Sequence, residues 1–292
     1  MTLLDARKLV SKKVDELKSR VDKLSKKPSL VIIRVGDDFA SGKYVANKIK
    51  KCDEVGIDSK IIHFDEDVKQ EVVEETILNL NKDEDITGIL LQLPIPKHLD
   101  EDYLTNLIED EKDVDGFTIG NMGKLSLGLE SNVACTPRGI ITLLKEFNIE
   151  IEGQDVLIIN RSNIVGKPLA QLFLKENATV TIAHSKTKNL KEKIVLSDIV
   201  VTAVGKANFL RADDFKNNTT IIDVSINFNE LGKMCGDVAK EDYDVMDNID
   251  KKGNSKKDDK ESSSNSLIVY ISLAIIVVGV VGLLIYTKKS VE

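Results

Sequence analysis

Cysteine is scarce in this chain, and the three it has, Cys52, Cys135 and Cys235, lie far apart among 292 residues. No CxxC pair and no Cys/His cluster occurs. Neither a disulfide framework nor a metal site is therefore expected, and reduced thiols in a cytosolic compartment fit best. Positive charge is not in excess. The formal net charge of −7 argues against a general nucleic-acid binder and still leaves room for a local basic pocket. No secretory leader is expected, since Met1 to Ser25 reads as a charged amphipathic helix. The GxGxxG fingerprint of dinucleotide-binding turns is absent too.

One apolar run stands out. Leu267 to Ile285 carries no charge and extends to Tyr286. Its length suits the roughly 20 residues of a membrane-spanning helix. Tyr270 and Tyr286 stand near its ends, where interface anchors belong. Before it, residues 250–266 are rich in Lys, Asp, Ser and Asn and read as a disordered linker. Lys251, Lys252, Lys256, Lys257 and Lys260 outnumber Lys288 and Lys289 beyond the run. The sequence thus predicts a transmembrane helix over 267–286, with cytoplasmic domains anchored to the membrane by it.

What precedes the linker is globular in composition, 42% hydrophobic and 30% charged, and long enough for two domains. Strands are predicted at Leu30–Val35, Asp58–Phe64 and Ile86–Leu91, with helices around Tyr44–Val55 and Val68–Asn81. This alternation implies a parallel sheet covered on both faces. A helix is expected from Gly139 to Phe147, with Thr136 as its N-cap and Pro137 in the first turn. The pattern then restarts. Strands are predicted at Asp155–Asn160, Thr179–Ala183, Asp198–Val204 and Thr219–Val224, with helices at Leu169–Glu176 and Leu190–Leu196. That is the rhythm of a dinucleotide domain with a polar, glycine-poor first turn.

Several residues stand where chemistry is expected. Tyr44 and Lys48 are four apart and share a helix face. Burial or a nearby cation favours the neutral, proton-accepting amine of a lysine. Taken alone, though, the segment reads as a lysine-rich surface helix. Gln92 leaves the third strand just before Pro94 and Pro96, which force an extended loop at the carboxyl edge of the sheet. Asp113 and Asp115 precede Gly116, whose tight turn can aim Asp115 inward. Arg161 and Ser185 each follow a strand end and suit a phosphate. Individually, a loop serine and a surface arginine explain them better.

Taken together, the segments resemble the methylenetetrahydrofolate dehydrogenase/methenyltetrahydrofolate cyclohydrolase family. The likeness runs to about Asp244 and rests on six motifs in order: Tyr44-Val45-Ala46-Asn47-Lys48 with Lys50, Gln92-Leu93-Pro94-Ile95-Pro96, Lys112-Asp113-Val114-Asp115-Gly116-Phe117, Cys135-Thr136-Pro137-Arg138-Gly139, Arg161-Ser162-Asn163-Ile164-Val165-Gly166-Lys167-Pro168, and His184-Ser185-Lys186-Thr187. Short-chain dehydrogenases also use Tyr-xxx-Lys, but there the dinucleotide turn precedes the tyrosine. The resemblance implies an α/β protein with a three-layer, folate-binding catalytic domain at 1–138 and a Rossmann-like NADP-binding domain at 139–249. Catalysis would fall to Lys48 as acid and base, Gln92 as its hydrogen-bond partner, Tyr44 against the pterin, and Asp115 on the pterin's amino edge. Asn160, Arg161 and Ser162 would line the cofactor turn. Arg161 and Ser185 would take the 2′-phosphate of NADP, and the backbone at Ile226 would meet the nicotinamide. Tetrahydrofolate derivatives as substrates and a homodimer are also implied. The alternative is a membrane-tethered, catalytically impaired paralogue that binds folate or a partner subunit.

The departures from the family pattern cluster in the second half. Asn160 stands for a glycine before Arg-Ser, Ser225 for a glycine, and Ala207 and Ala134 for prolines. Nothing in 250–292 matches the family's PGGVGPMT loop and final helix. Hydrolysis is therefore expected to be better preserved than dehydrogenation.

Overall fold

In the computed structural model of the chain, residues 2–3, 7–239 and 267–270 are described. Among the described residues the chain forms two compact units, one of residues 7–139 and the other of residues 2–3, 140–239 and 267–270. The chain passes from one to the other within helix α6 (Cys135–Glu146), which starts one residue before the expected cap Thr136.

The first unit holds α1 (Arg7–Val21), β2 (Ser29–Val35), α2 (Phe39–Val55), β3 (Asp58–Phe64), α3 (Gln70–Lys82), β4 (Gly88–Leu91), α4 (Glu101–Asn106) and α5 (Ile119–Ser126). Its sheet has the order β3-β2-β4 and every pair is parallel. Val31, Ile33 and Val35 alternate along β2 and pack with Ile89 and Leu91 against Val73 and Ile77 from α3, Leu104 from α4 and Ile108 just after it. Leu30, Ile32 and Leu90 point the other way and are equally buried. The crossover through α3 runs in the opposite direction to that through α2, so right-handed connections put the two helices on opposite faces. β2 is accordingly a continuous apolar run between two layers. The Asp113 backbone bridges Ile89 in parallel register and extends the sheet beyond β4.

The second unit holds β1 (Thr2–Leu3), β5 (Asp155–Ile159), α7 (Gly166–Lys175), β6 (Thr179–Ala183), α8 (Leu190–Leu196), β7 (Ile199–Thr202), β8 (Thr220–Asp223), a small hairpin of β9 (Asn227–Phe228) and β10 (Met234–Cys235), and β11 (Leu267–Tyr270). Its main sheet is parallel throughout, in the order β1-β11-β8-β7-β5-β6. This is a Rossmann-like arrangement. Leu157, Ile159, Val200 and Ile221 from the sheet, Ile194 from α8, and Leu210 and Val238 form its buried cluster.

Two sequence expectations are corrected at the chain's ends. The helix predicted from Met1 begins only at Arg7, because Thr2 and Leu3 pair with Leu267 and Ile268. The transmembrane helix does not begin at Leu267. Leu267–Tyr270 is a strand, paired in parallel with Thr220–Asp223. An apolar stretch without charges suits a doubly covered parallel strand as well as a bilayer, and local hydropathy does not separate the two. Among the described residues no helix is long and apolar enough to cross a membrane. The rest of the predicted span, 271–286, and the predicted linker, 250–266, lie outside the described residues.

Candidate active site

Helix α2 sets the first part of the site. Asp38 caps it by accepting the Ser41 N–H at 2.7 Å, and Gly56 ends it at φ +83°, a left-handed conformation. Its buried stripe is Ser41, Val45, Lys48, Cys52 and Val55. Lys48 is thus the one charged residue on the face turned to the core, and only 8% exposed. Tyr44, one turn earlier, is half-buried.

A buried ammonium needs a partner. Lys48 Nζ donates to Oε1 of Gln92 at 3.1 Å. Gln92 is itself held twice: its N–H donates to the Ile33 carbonyl at 2.8 Å, continuing the β2–β4 ladder, and its Nε2 donates to the Leu93 carbonyl at 2.7 Å. The amide oxygen is therefore aimed at Lys48 by the sheet edge.

Asp115 reaches the same place by a different route. The Asp113 bridge to Ile89 lays the 112–114 segment beside β4. Asp113, 2% exposed, then accepts the N–H groups of Asp115, Gly116 and Thr118 at 3.2, 2.9 and 2.9 Å, and the Asn121 side-chain amide at 3.0 Å. Gly116 sits at φ +68° with the Asn132 carbonyl where a Cβ would stand, 2.7 Å away, so glycine is required. Burial pushes the Asp115 carboxyl above its ordinary value; the charge of Lys48 pulls it back and that of Asp113 adds to the rise. Lys48 and Asp115 therefore feel one another. Cys135 lies close enough to sense both, but burial pushes its thiol up to about 12 and leaves it inert.

The sequence singled out Asp115 and not Asp113, whose four acceptor bonds shape the turn. It also passed over Lys112, which donates to the Leu80, Asn81 and Asp83 carbonyls at 2.9, 2.7 and 2.7 Å and closes the end of α3. Each looks in sequence like an ordinary surface charge.

In the second unit the first turn is closed by its own side chains. Asn160 Oδ1 accepts the N–H groups of Ser162 and Gly166 at 2.8 and 3.0 Å, and the Ser162 hydroxyl at 2.8 Å. Its Nδ2 donates to the Ala203 carbonyl at 2.6 Å. Ser162 Oγ in turn accepts the Val165 N–H at 3.0 Å. A Cβ at Gly166 would collide with the Asn160 carbonyl, so the start of α7 must pass close to β5. Arg161 and Ser185 are exposed just past the adjacent parallel strands β5 and β6. Neither side chain has a hydrogen-bond partner among the described residues. Two free donors at the carboxyl edge of a parallel sheet fit a phosphorylated dinucleotide. Ile226, just past β8, is 44% exposed.

Comparison with known proteins bears on this arrangement directly. The catalytic-domain model of tetrahydrofolate dehydrogenase/cyclohydrolase matches residues 4–115, and the NAD(P)-binding-domain model of the same family matches residues 134–249. The chain belongs to the tetrahydrofolate dehydrogenase/cyclohydrolase family. Within this family, a bifunctional protein FolD from Bacillus cytotoxicus is 47% identical over 239 residues, 81% of this chain and 84% of that protein. The bifunctional FolD dehydrogenase/cyclohydrolase of Campylobacter jejuni superposes with a TM-score of 0.90 at 36% identity, covering 100% of both chains. A Trypanosoma brucei FolD solved with NADP cofactor and an inhibitor superposes at 0.85 with 25% identity, covering 100% of this chain and 98% of that one.

Proposed function

We infer that this chain oxidises methylenetetrahydrofolate to methenyltetrahydrofolate with NADP and hydrolyses the product to formyltetrahydrofolate, as a bifunctional enzyme of one-carbon metabolism. The observation that carries this reading is the Lys48–Gln92 hydrogen bond, buried on the core face of α2 beside Asp115.

NADP, when bound, supplies the hydride acceptor for the methylene carbon. Residues 1–138 bind the folate and residues 139–249 the dinucleotide. Lys48 takes a proton from the water that adds to the methenyl carbon and returns one to the ring nitrogen as the carbon–nitrogen bond opens. Gln92 holds its amino group in place. The Asp115 carboxylate accepts the paired donors of the pterin's amino edge, and Tyr44 packs against the pterin. Arg161 and Ser185 would hold the 2′-phosphate, and the backbone at Ile226 would meet the nicotinamide. Asn160 and Ser162 act by closing the turn, since their polar atoms are already engaged within the chain. The enzyme works as a homodimer.

Nothing favours the membrane-tethered, impaired paralogue: Lys48 and Gln92 are in contact and Leu267–Tyr270 stands in the sheet. The test is tetrahydrofolate-dependent reduction of NADP, and hydrolysis of methenyltetrahydrofolate, by the purified full chain. Both activities are expected; absence of either overturns that half of the reading.

A further inference from the structure

Asp237 is 0% exposed and follows the β9–β10 hairpin. Its Oδ2 accepts the Thr202 hydroxyl at 2.8 Å, the Val204 N–H at 2.6 Å and the Ser225 hydroxyl at 2.8 Å. Its Oδ1 accepts the Lys206 N–H at 2.9 Å and the Asn227 side-chain amide at 3.0 Å. Burial alone would raise this carboxyl. The bonds from Val204, Lys206, Ser225 and Thr202 outweigh it and hold the carboxyl below its ordinary value.

The donors come from the end of β7 and the loop that leaves it, and from the segment that leaves β8 and enters β9; β7 and β8 are parallel neighbours. Both loops therefore emerge at the carboxyl edge of the sheet, where open α/β folds bind ligands. The Gly205 N–H also donates to Ser225 Oγ at 3.0 Å, tying one loop to the other directly. Asp223, the last residue of β8, accepts the Val238 N–H at 2.9 Å and fixes the segment that carries Asp237. Gly236 is glycine because a Cβ there would collide with the Asp223 carboxylate.

We propose that Asp237 is a positioning residue for hydride transfer: by holding Ser225 and Asn227 on either side of Ile226, and by tying that loop to 204–206, it fixes the backbone on which the nicotinamide packs. The inference rests on the dehydrogenase reading and on the place given there to Ile226. Side-chain burial does not hold this loop, because Ile226 and Phe228 are 44% and 69% exposed. Hydrogen bonds must do so. A carboxylate accepts five donors while presenting none; an amide in its place turns an NH2 group against donors already there.

The experiment compares Asp237→Asn with the milder pair Ser225→Ala/Asn227→Ala, each in the full chain. NADP-dependent dehydrogenation and methenyl hydrolysis are measured in the same preparations. Asp237→Asn is expected to raise the KM for NADP or lower dehydrogenase kcat about tenfold or more, with hydrolysis within about twofold of wild type. The double variant, which keeps the buried carboxylate, is expected to show the same split at about three- to tenfold. Dehydrogenation unchanged in both variants overturns the proposal. So does an equal loss of both activities in the double variant, which marks a merely structural role. A wild-type chain that hydrolyses the methenyl compound but reduces no NADP overturns the dehydrogenase reading itself, and the positioning role with it.

Discussion

Lys48 Nζ donates a 3.1 Å hydrogen bond to Gln92 Oε1, linking the core face of α2 to the residue just past β4. Gln92 is 9% exposed and Lys48 8%, so removing either leaves the other without its buried partner. Gln92→Leu is expected to slow methenyl hydrolysis at least tenfold and to lower stability by about 1–3 kcal/mol. Hydrolysis kinetics and denaturant unfolding of the same preparation check this. Wild-type hydrolysis in the variant would remove Gln92 from the site.

Gly116→Ala is expected to weaken folate binding and to destabilise the chain by about 1–3 kcal/mol. The new Cβ would stand 2.7 Å from the Asn132 carbonyl at a φ of +68°, in the turn that carries Asp115. Calorimetric titration with a folate analogue reads the binding. Unchanged affinity would mean that the turn does not position Asp115.

Much of the fold was legible because its strands are apolar runs between helical patterns. Leu30–Val35 and Thr179–Ala183 needed only local sequence. The Thr2–Leu3 and Leu267–Tyr270 strands did not, since one pairs across the whole chain and the other also with Thr220–Asp223, well before it in sequence. Lys48 was readable through its motif, but its place on a buried stripe depends on what α2 packs against. Asp223 and Asp237 were invisible as functional candidates, and so was the part Asp113 plays in shaping the turn of Asp115. An acid whose partners lie 10 to 35 residues away, as those of Asp237 do, looks like a solvated charge until the loops are folded.

The pH dependence of stability carries a specific signature. Burial pushes the Asp223 carboxyl up from 3.8 to about 6, against the pull of the Val238 and Asp237 N–H groups. The folded chain keeps a proton that the unfolded chain releases. The stabilisation from Asp223 is therefore full below its unfolded value and is lost as pH rises through about 6, a change of about 3 kcal/mol. Asp223→Asn lacks this loss. Between about pH 4 and pH 7.5 the wild type should lose about 2–3 kcal/mol relative to the variant in denaturant unfolding. A difference that is constant over that range would contradict the assignment.

Arg161 is exposed at the end of β5 beside Ser185 at the end of β6. Arg161→Ala is expected to weaken NADP binding about tenfold or more and to leave NAD binding nearly unchanged. Fluorescence titration with each dinucleotide distinguishes them. Equal affinities in wild type, or a preference for NADP that survives the substitution, would move the phosphate site elsewhere.

The proposed hydrolysis depends above all on proton transfer by Lys48. The decisive measurement is methenyltetrahydrofolate hydrolysis by Lys48→Met in the full chain, set beside its affinity for a folate analogue. Hydrolysis should fall by at least about a hundredfold while affinity changes by less than about threefold, because a proton-transfer group acts on rate more than on ground-state binding. Wild-type hydrolysis, or an equal loss of hydrolysis and binding, would contradict it.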